Sequence, residues 1–278
     1  MTICIASLTK DGKIVGIADR MRSTGEWEVD LNAPKIYPIT SKIVIMCSGH
    51  SATINEIIDN IKQRIREVST VLDCDINVFD PVAHKYPTIT HISDLFTKVK
   101  NEMRLRHIER EILSPFGFNM EKFLSTQNNM STDFVSRITN KINDFAWPEV
   151  DALICGIFCH GSFINFVGEK KTLSVSCFGF ESIGSGSLHP DLLLMKSQHT
   201  ANLSYEEALF NIYRAKRYSE IAPGVGKTHD LFVMDPKTGY RDITNDPLVE
   251  LVKMQYESCE KKIADIIEYA RSSLRAPI

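Results

Sequence analysis

Residues 1–20 read MTICIASLTKDGKIVGIADR. Thr2 to Leu8 is apolar and partly alternating, Asp11-Gly12 is a turn signal, and Lys13 to Ala18 resumes the apolar pattern. Two such runs around Asp-Gly predict a β-hairpin. Moving outward, Lys35–Ile39 is a short strand candidate and Lys42–Cys47 a denser apolar strand that ends at Ser48-Gly49. Ile54, Ile57, Ile58, Ile61, Ile65 and Val68 then recur at three- and four-residue steps, which predicts an amphipathic helix with Ser51 as its N-cap.

The middle of the chain is helical. Residues 70–91 read as irregular, with Pro81 and Pro87, and a helix is expected from about Ile92 to Leu113. Residues 114–147 hold a short helical piece near Glu121 and a helix from about Ser131 to Phe145. Strands return at Asp151–Phe158, Phe163–Val167 and Leu173–Phe178, followed by Gly184-Ser185-Gly186-Ser187. Ser204-x-x-Glu207 is a capping box that opens a helix running to about Glu220, stopped by Pro223-Gly224. Leu231–Met234 and Tyr240–Ile243 form a strand pair around a turn at Asp235–Gly239. A long helix from about Pro247 to Leu274 closes the chain. Strands, helices, strands, helix, strand pair and helix predict an α+β fold of two sheets flanked by helices. The expected organisation is a single domain over 1–278.

Composition narrows the function. The chain has 278 residues, 43% of them hydrophobic, and a formal net charge of -3, without the basic excess a nucleic-acid binder shows. The densest basic stretch, Lys98–Arg110, is interleaved with Glu102 and Glu109 and reads as a solvated helix face. No apolar stretch reaches the roughly 18 residues of a membrane helix, and the first residues carry no secretory pattern. Seven scattered cysteines, Cys155 and Cys159 among them, read as buried free thiols. A cytoplasmic location follows as an expectation. The eight histidines lack metal spacing, so neither a metal nor another cofactor is expected. Gly224-x-Gly226-Lys227-Thr228 lacks the first glycine of a phosphate loop and precedes a strand.

Chemistry is expected at Thr2. Removal of Met1 would leave a threonine carrying both a hydroxyl nucleophile and a free α-amine, whose ordinary pKa of about 7.7–8.0 suits a base near neutrality. Asp19 ends the second strand and Lys35 opens the next. A carboxylate and a lysine beside Thr2 would hold it and lower its proton affinity. Gly49, before a helix, offers an N–H to a developing oxyanion. His50 follows it, as a pocket residue or as a helix-start residue.

Taken together, Thr2, Gly16-Ile17-Ala18-Asp19-Arg20, Pro34-Lys35-Ile36-Tyr37, Ser48-Gly49 and Gly184-Ser185-Gly186-Ser187 resemble the proteasome β-subunit-like branch of the N-terminal-nucleophile hydrolases, in a divergent prokaryotic-type form. The resemblance covers the first 65 residues and resumes over about 150–245. It implies a four-layer αββα sandwich, with Thr2 as nucleophile, Asp19 and Lys35 as charged partners and Gly49 as oxyanion donor. Ser185 would help hold the terminal amine and a water, and Ser23 would lie on a substrate-aligning strand. Cys47 and His50 would shape a substrate pocket. Glu220 stands near where the family keeps an aspartate. The activity implied is that of a threonine peptidase acting on peptide or amide substrates after Met1 removal, assembled as a homo-oligomeric ring or related form, with an ATPase partner in many members. Residues 70–91 and 111–147 read as insertions relative to that family, able to reshape the groove. A small-molecule amidase and a non-catalytic assembly protein on the same fold are the alternatives.

Overall fold

The computed structural model describes residues 2–24, 27–30, 34–71, 89–158, 160–169, 171–175 and 178–275. The expected hairpin is present as β1 (Cys4–Leu8) and β2 (Ile14–Asp19), paired antiparallel with Ile5 opposite Ile17. A second, short hairpin follows, β3 (Met21–Thr24) and β4 (Trp27–Asp30). Next come β5 (Ile36–Thr40), β6 (Ile43–Gly49) and the helix α1 (Ser51–Val71). The irregular segment expected over 70–91 falls mostly on 72–88, outside the described residues.

Helix α2 (Ile89–Ile108) starts earlier than its periodicity predicts and passes into a π turn at Glu109–Leu113. Then follow α3 (Met120–Thr126) and α4 (Thr132–Asn143). The strands β7 (Val150–Phe158), β8 (Gly161–Val167), β9 (Thr172–Ser174) and β10 (Phe180–Ile183) lead to α5 (Leu188–Lys196) and α6 (Tyr205–Ser219). The chain ends with β11 (His229–Asp235), β12 (Gly239–Asp242) and α7 (Pro247–Arg275).

Two five-stranded sheets result, with every pairing antiparallel: β10-β1-β2-β11-β12 and β5-β6-β7-β8-β9. The fold is therefore mixed α+β, with seven α-helices among the described residues.

Three cores divide the strand side chains. Cys4, Ala6, Ile14 and Ala18 of the first sheet meet Val44, Met46, Leu153 and Cys155 of the second. The alternate residues Ile5, Val15, Ile17 and Leu231 pack on Leu209 and Ile212 of α6. Ile43, Ile45 and Ile154 pack on Ile57, Ile58 and Ile61 of α1 and Phe96 of α2. Strands buried on both faces read as apolar runs rather than clean alternation, which is why Ile43–Cys47 looked dense in sequence. A fourth, smaller core joins Ile112 and Leu113 to Phe123 of α3 and Ile138 of α4, giving the 111–147 stretch its own packing.

Helix α6 starts where its capping box says. The Ser204 hydroxyl accepts the Glu207 N–H and the Glu207 carboxylate accepts the Ser204 N–H. At α1 the cap differs from the expected Ser51. His50 precedes the first turn, and its Nδ1 lies 2.9 Å from the Thr53 hydroxyl and accepts the Thr53 N–H at 3.4 Å.

Candidate active site

The site is built around Asp19, at the last position of β2. Its carboxylate is fully buried. Oδ1 accepts the Ile3 N–H at 2.8 Å and the Lys35 ammonium at 2.6 Å. Oδ2 accepts the N–H groups of Met21 at 3.2 Å and Gly226 at 3.1 Å. An ionised carboxylate is acceptor-only, so four converging donors, one of them a cation, satisfy its lone pairs. Asp19 N–H in turn donates to the Ile3 carbonyl. The residue after Thr2 is thus clamped to Asp19 from both sides.

Lys35 is held from its other end as well. It precedes β5, and its carbonyl accepts the Cys47 N–H of β6 at 3.1 Å. Its side chain is 8% exposed and crosses from one sheet to Asp19 in the other. The Cys4 thiol is buried beside this pair and pushed up to about 12, by burial first, with Lys35 pulling against the rise and Asp19 adding to it. Cys4 therefore stays a protonated core thiol, its Sγ 3.6 Å from the Cys47 carbonyl.

The turn Gly184–Ser187 covers Thr2 from the side of β10. Gly184 has φ +106°, and a Cβ there would lie 2.1 Å from the Thr2 carbonyl oxygen. Only glycine lets the turn come this close. Ser185 is exposed on that turn. Beneath it the Ser182 hydroxyl, 2.6 Å from Asp191 Oδ1 and 3.1 Å from the Ser187 carbonyl, ties the turn to α5. Burial raises the Asp191 carboxyl above its ordinary range, while the Ser182 hydrogen bond pulls the other way.

Gly49 ends β6 opposite Val150 at φ +122°, where a Cβ would meet the Glu149 carbonyl oxygen at 2.2 Å. The chain leaving the α3–α4 region thus presses directly on the glycine singled out as an oxyanion donor. Trp147 stands in the same stretch, its ring 4.9 Å from that of His107 and 6.5 Å from that of Phe145.

The structure brings Thr2, Asp19, Lys35 and the Ser185 turn together and revises two other expectations. Cys47 is 1% exposed in the core against α1 and α2, so its thiol faces that core rather than a substrate pocket. His50 takes the second of its two expected roles, at the helix start, and is exposed. The Glu220 carboxylate does not join the centre directly; it takes the Lys216 ammonium at 2.5 Å and the Arg217 guanidinium at 3.0 Å. Ser23 lies on β3 opposite Glu28, and its side chain is outside the described residues.

Two participants escaped the sequence reading. Lys216 is fully buried in α6, and its ammonium donates to Glu220 and, at 2.6 Å, to the Lys227 carbonyl. Burial lowers its proton affinity and Glu220 opposes that shift. Gly226 lies in the stretch weighed as a phosphate loop; its N–H binds Asp19 instead. Glu220, Lys216, Lys227, Gly226 and Asp19 therefore form one chain of contacts, which ties Glu220 to the Asp19 carboxylate through four links rather than to Thr2 itself. The single Lys216–Glu220 pair at i and i+4, at the end of a helix, was the only trace of this in the sequence.

On the other flank of Asp19 and Lys35, their chain neighbours Arg20, Pro34 and Ile36 line a cavity of about 360 Å³ with Asp230, Tyr240 and Asp242. Arg20 pairs with Asp230 there. Burial, reinforced by Asp242 and Asp230, raises the Tyr240 hydroxyl above its ordinary range. Among the described residues no cluster of three His, Cys, Asp or Glu could hold a metal ion, and no helix is long and apolar enough to cross a membrane. Comparison of the chain with protein-family models and with curated proteins finds no match to either.

Proposed function

We propose that the protein is a threonine-dependent amide-bond hydrolase of the N-terminal-nucleophile type, on a four-layer αββα sandwich like that of proteasome β subunits. One observation carries the reading: a fully buried carboxylate holds the backbone next to Thr2 and a lysine from the opposite sheet on the same oxygen. A buried ion pair is costly to desolvate and is a poor stability device by itself. Its placement against the second residue of the chain is what a nucleophile at Thr2 would use.

In this mechanism removal of Met1 frees the Thr2 amine. The amine takes the Thr2 hydroxyl proton, directly or through a water, as Oγ attacks the substrate carbonyl. Lys35, fixed by Asp19, favours the anionic oxygen electrostatically. The Gly49 N–H stabilises the tetrahedral oxyanion. The ammonium then gives its proton to the leaving amine, the C–N bond breaks, and an acyl ester remains on Thr2. Water activated by the same amine hydrolyses the ester. Ser185 stands on the turn above Thr2 to hold that water.

The packing of Glu149 on Gly49, and the separate core of α3 and α4 behind it, favour a narrowed version of the reading, in which the substrate is a short peptide or small amide. Intact-protein mass spectrometry, with a hydrolysis screen of peptide and small-amide substrates for the parent and Thr2→Ala, tests both. Loss of Met1 and an inactive Thr2→Ala support the mechanism. Retained Met1 in active protein, or full activity in Thr2→Ala, sinks the mechanism; retained Met1 with no hydrolysis of any substrate in the screen leaves the non-catalytic assembly role.

A further inference from the structure

The chain between α6 and β11 reaches the Thr2 centre from two sides. On one side the Gly226 N–H donates to Asp19 Oδ2 at 3.1 Å, and the Thr228 carbonyl accepts the Arg20 N–H at 3.2 Å. A Cβ on Gly226 would lie 2.8 Å from the Met21 Cβ, so the loop lies flat on the residues that follow β2. On the other side Val225 is buried, and a Cβ on Gly186 would lie 2.8 Å from its Cγ2. Val225 therefore packs against the turn that carries Ser185. Loop 220–228 fills the space between the Asp19 carboxylate and that turn.

One side chain closes the loop at both ends. Lys216 of α6 is fully buried. Its ammonium donates to the Glu220 carboxylate at 2.5 Å, where the loop leaves the helix, and to the Lys227 carbonyl at 2.6 Å, just before β11. Gly226, the residue before Lys227, is thereby held in place. Burial lowers the proton affinity of Lys216, and Asp19 is among the charges that oppose this.

Stability does not account for a lysine here. Taking an ion pair out of water is costly, and apolar side chains of similar volume often serve a core as well or better. A methionine at 216 would suit the α6 face where Ile212 and Ala215 already pack. An apolar side chain would not fix the carbonyl of residue 227 in one place.

We propose that Lys216 is a positioning residue for the Thr2 centre. Its ammonium pins the loop, so that the Gly226 N–H stays on Asp19 and Val225 stays against the Ser185 turn. This rests on the Thr2 chemistry proposed for the protein. Lys216→Met is expected to fold, because Glu220 keeps Arg217 and the Lys227 carbonyl keeps the His229 Nδ1, 3.1 Å away. Its kcat on the substrate found for the parent is expected to fall about a hundredfold with KM within about threefold, the mark of a displaced centre with binding intact. Hydrogen exchange of the Gly226 amide, read by NMR, is expected to quicken about tenfold. Lys216→Met/Glu220→Leu exchanges the ion pair for apolar side chains and carries the test where the single variant unfolds. It is expected to regain the melting temperature of the parent while kcat stays low; a role in stability alone would restore both. Parent kcat in Lys216→Met overturns the proposal, as does unchanged Gly226 exchange or recovery of kcat in the double variant. Thr2→Ala separates the two levels. An inactive Thr2→Ala beside a fully active Lys216→Met sinks only the role of Lys216. An active Thr2→Ala, or a parent that hydrolyses nothing, sinks the Thr2 chemistry and this role with it.

Discussion

Asp19→Asn is expected to destabilise the protein severely, whatever its effect on hydrolysis. The substitution keeps the shape of the side chain and one accepting oxygen. It replaces the other oxygen with an NH₂ group, which must face N–H donors from Met21 and Gly226 or the Lys35 ammonium. It also leaves Lys35, 7% exposed, without its counter-charge. Removing one partner of a buried ion pair costs about 3–5 kcal/mol. That is a large share of a total stability of about 5–15 kcal/mol. For a domain near this size each kcal/mol moves the melting temperature by about 2–4 °C, so a fall of roughly 6–20 °C is expected. Circular dichroism melts and urea titrations at pH 7 measure it. Lys35→Met alone is expected to cost less, because three backbone N–H groups still solvate Asp19. The double variant should lie above the sum of the two singles by more than about 1 kcal/mol, as contacting residues do. An Asp19→Asn variant within about 1 kcal/mol of the parent, or strictly additive singles, would refute the account of Asp19 as the joint of the site.

Other expectations follow from single positions. Gly184→Ala puts a methyl 2.1 Å from the Thr2 carbonyl oxygen at a positive φ, so Thr2 must shift; any Thr2-dependent hydrolysis should fall about a hundredfold, measured as kcat/KM. His199 is buried between Ser7 and Asn211, and burial lowers its pKa from 6.5 to about 4. The unfolded chain takes up a proton below pH 6.5 that the fold refuses. Stability present above that pH is therefore lost as pH falls toward 4, by about 3 kcal/mol, and urea midpoints for parent and His199→Gln across this range should converge in slope if His199 plays no part. Gly16→Ala would set a Cβ 2.2 Å from the Phe232 ring and should cost about 1–3 kcal/mol, with Phe232→Leu in the same chain recovering part of the loss in a thermal melt.

Much of the framework was legible because its signals are local. The Asp11-Gly12 turn, the Ser204 capping box and the apolar runs of β6 and β7 each declare an element within a few residues. The β3–β4 hairpin was foreseen only in part: the family resemblance implied a strand at Ser23, but its partner, in which Trp27 and Val29 alternate with Glu28 and Asp30, was too short a run to be read. Helix α5 was hidden by Pro190 inside its first turn and by an apolar stripe, Leu188, Leu192 and Met195, that the fold leaves exposed. Within the site, Asp19 and Lys35 were legible from their strand-end positions and their order after Thr2. Gly226 and Lys216 were not, because what makes them matter is a contact 207 residues away in one case and burial under α6 in the other. Cys47 misled because alternate residues of a strand buried on both faces are all apolar, so sequence does not tell which face looks toward a site.

The closing donor on Asp19, the N–H of Gly226, arrives very late. A growing chain releases Thr2, Asp19 and Lys35 early, but β2 waits for β11 as its neighbour, and Asp19 waits for the loop that precedes it. The surroundings of Thr2 are therefore assembled by a distant part of the chain. Until about four-fifths of the polypeptide has been made, Thr2 is an ordinary threonine on an unfinished sheet. On the proposed reading, it is the completed fold around Asp19 that gives Thr2 its charged surroundings.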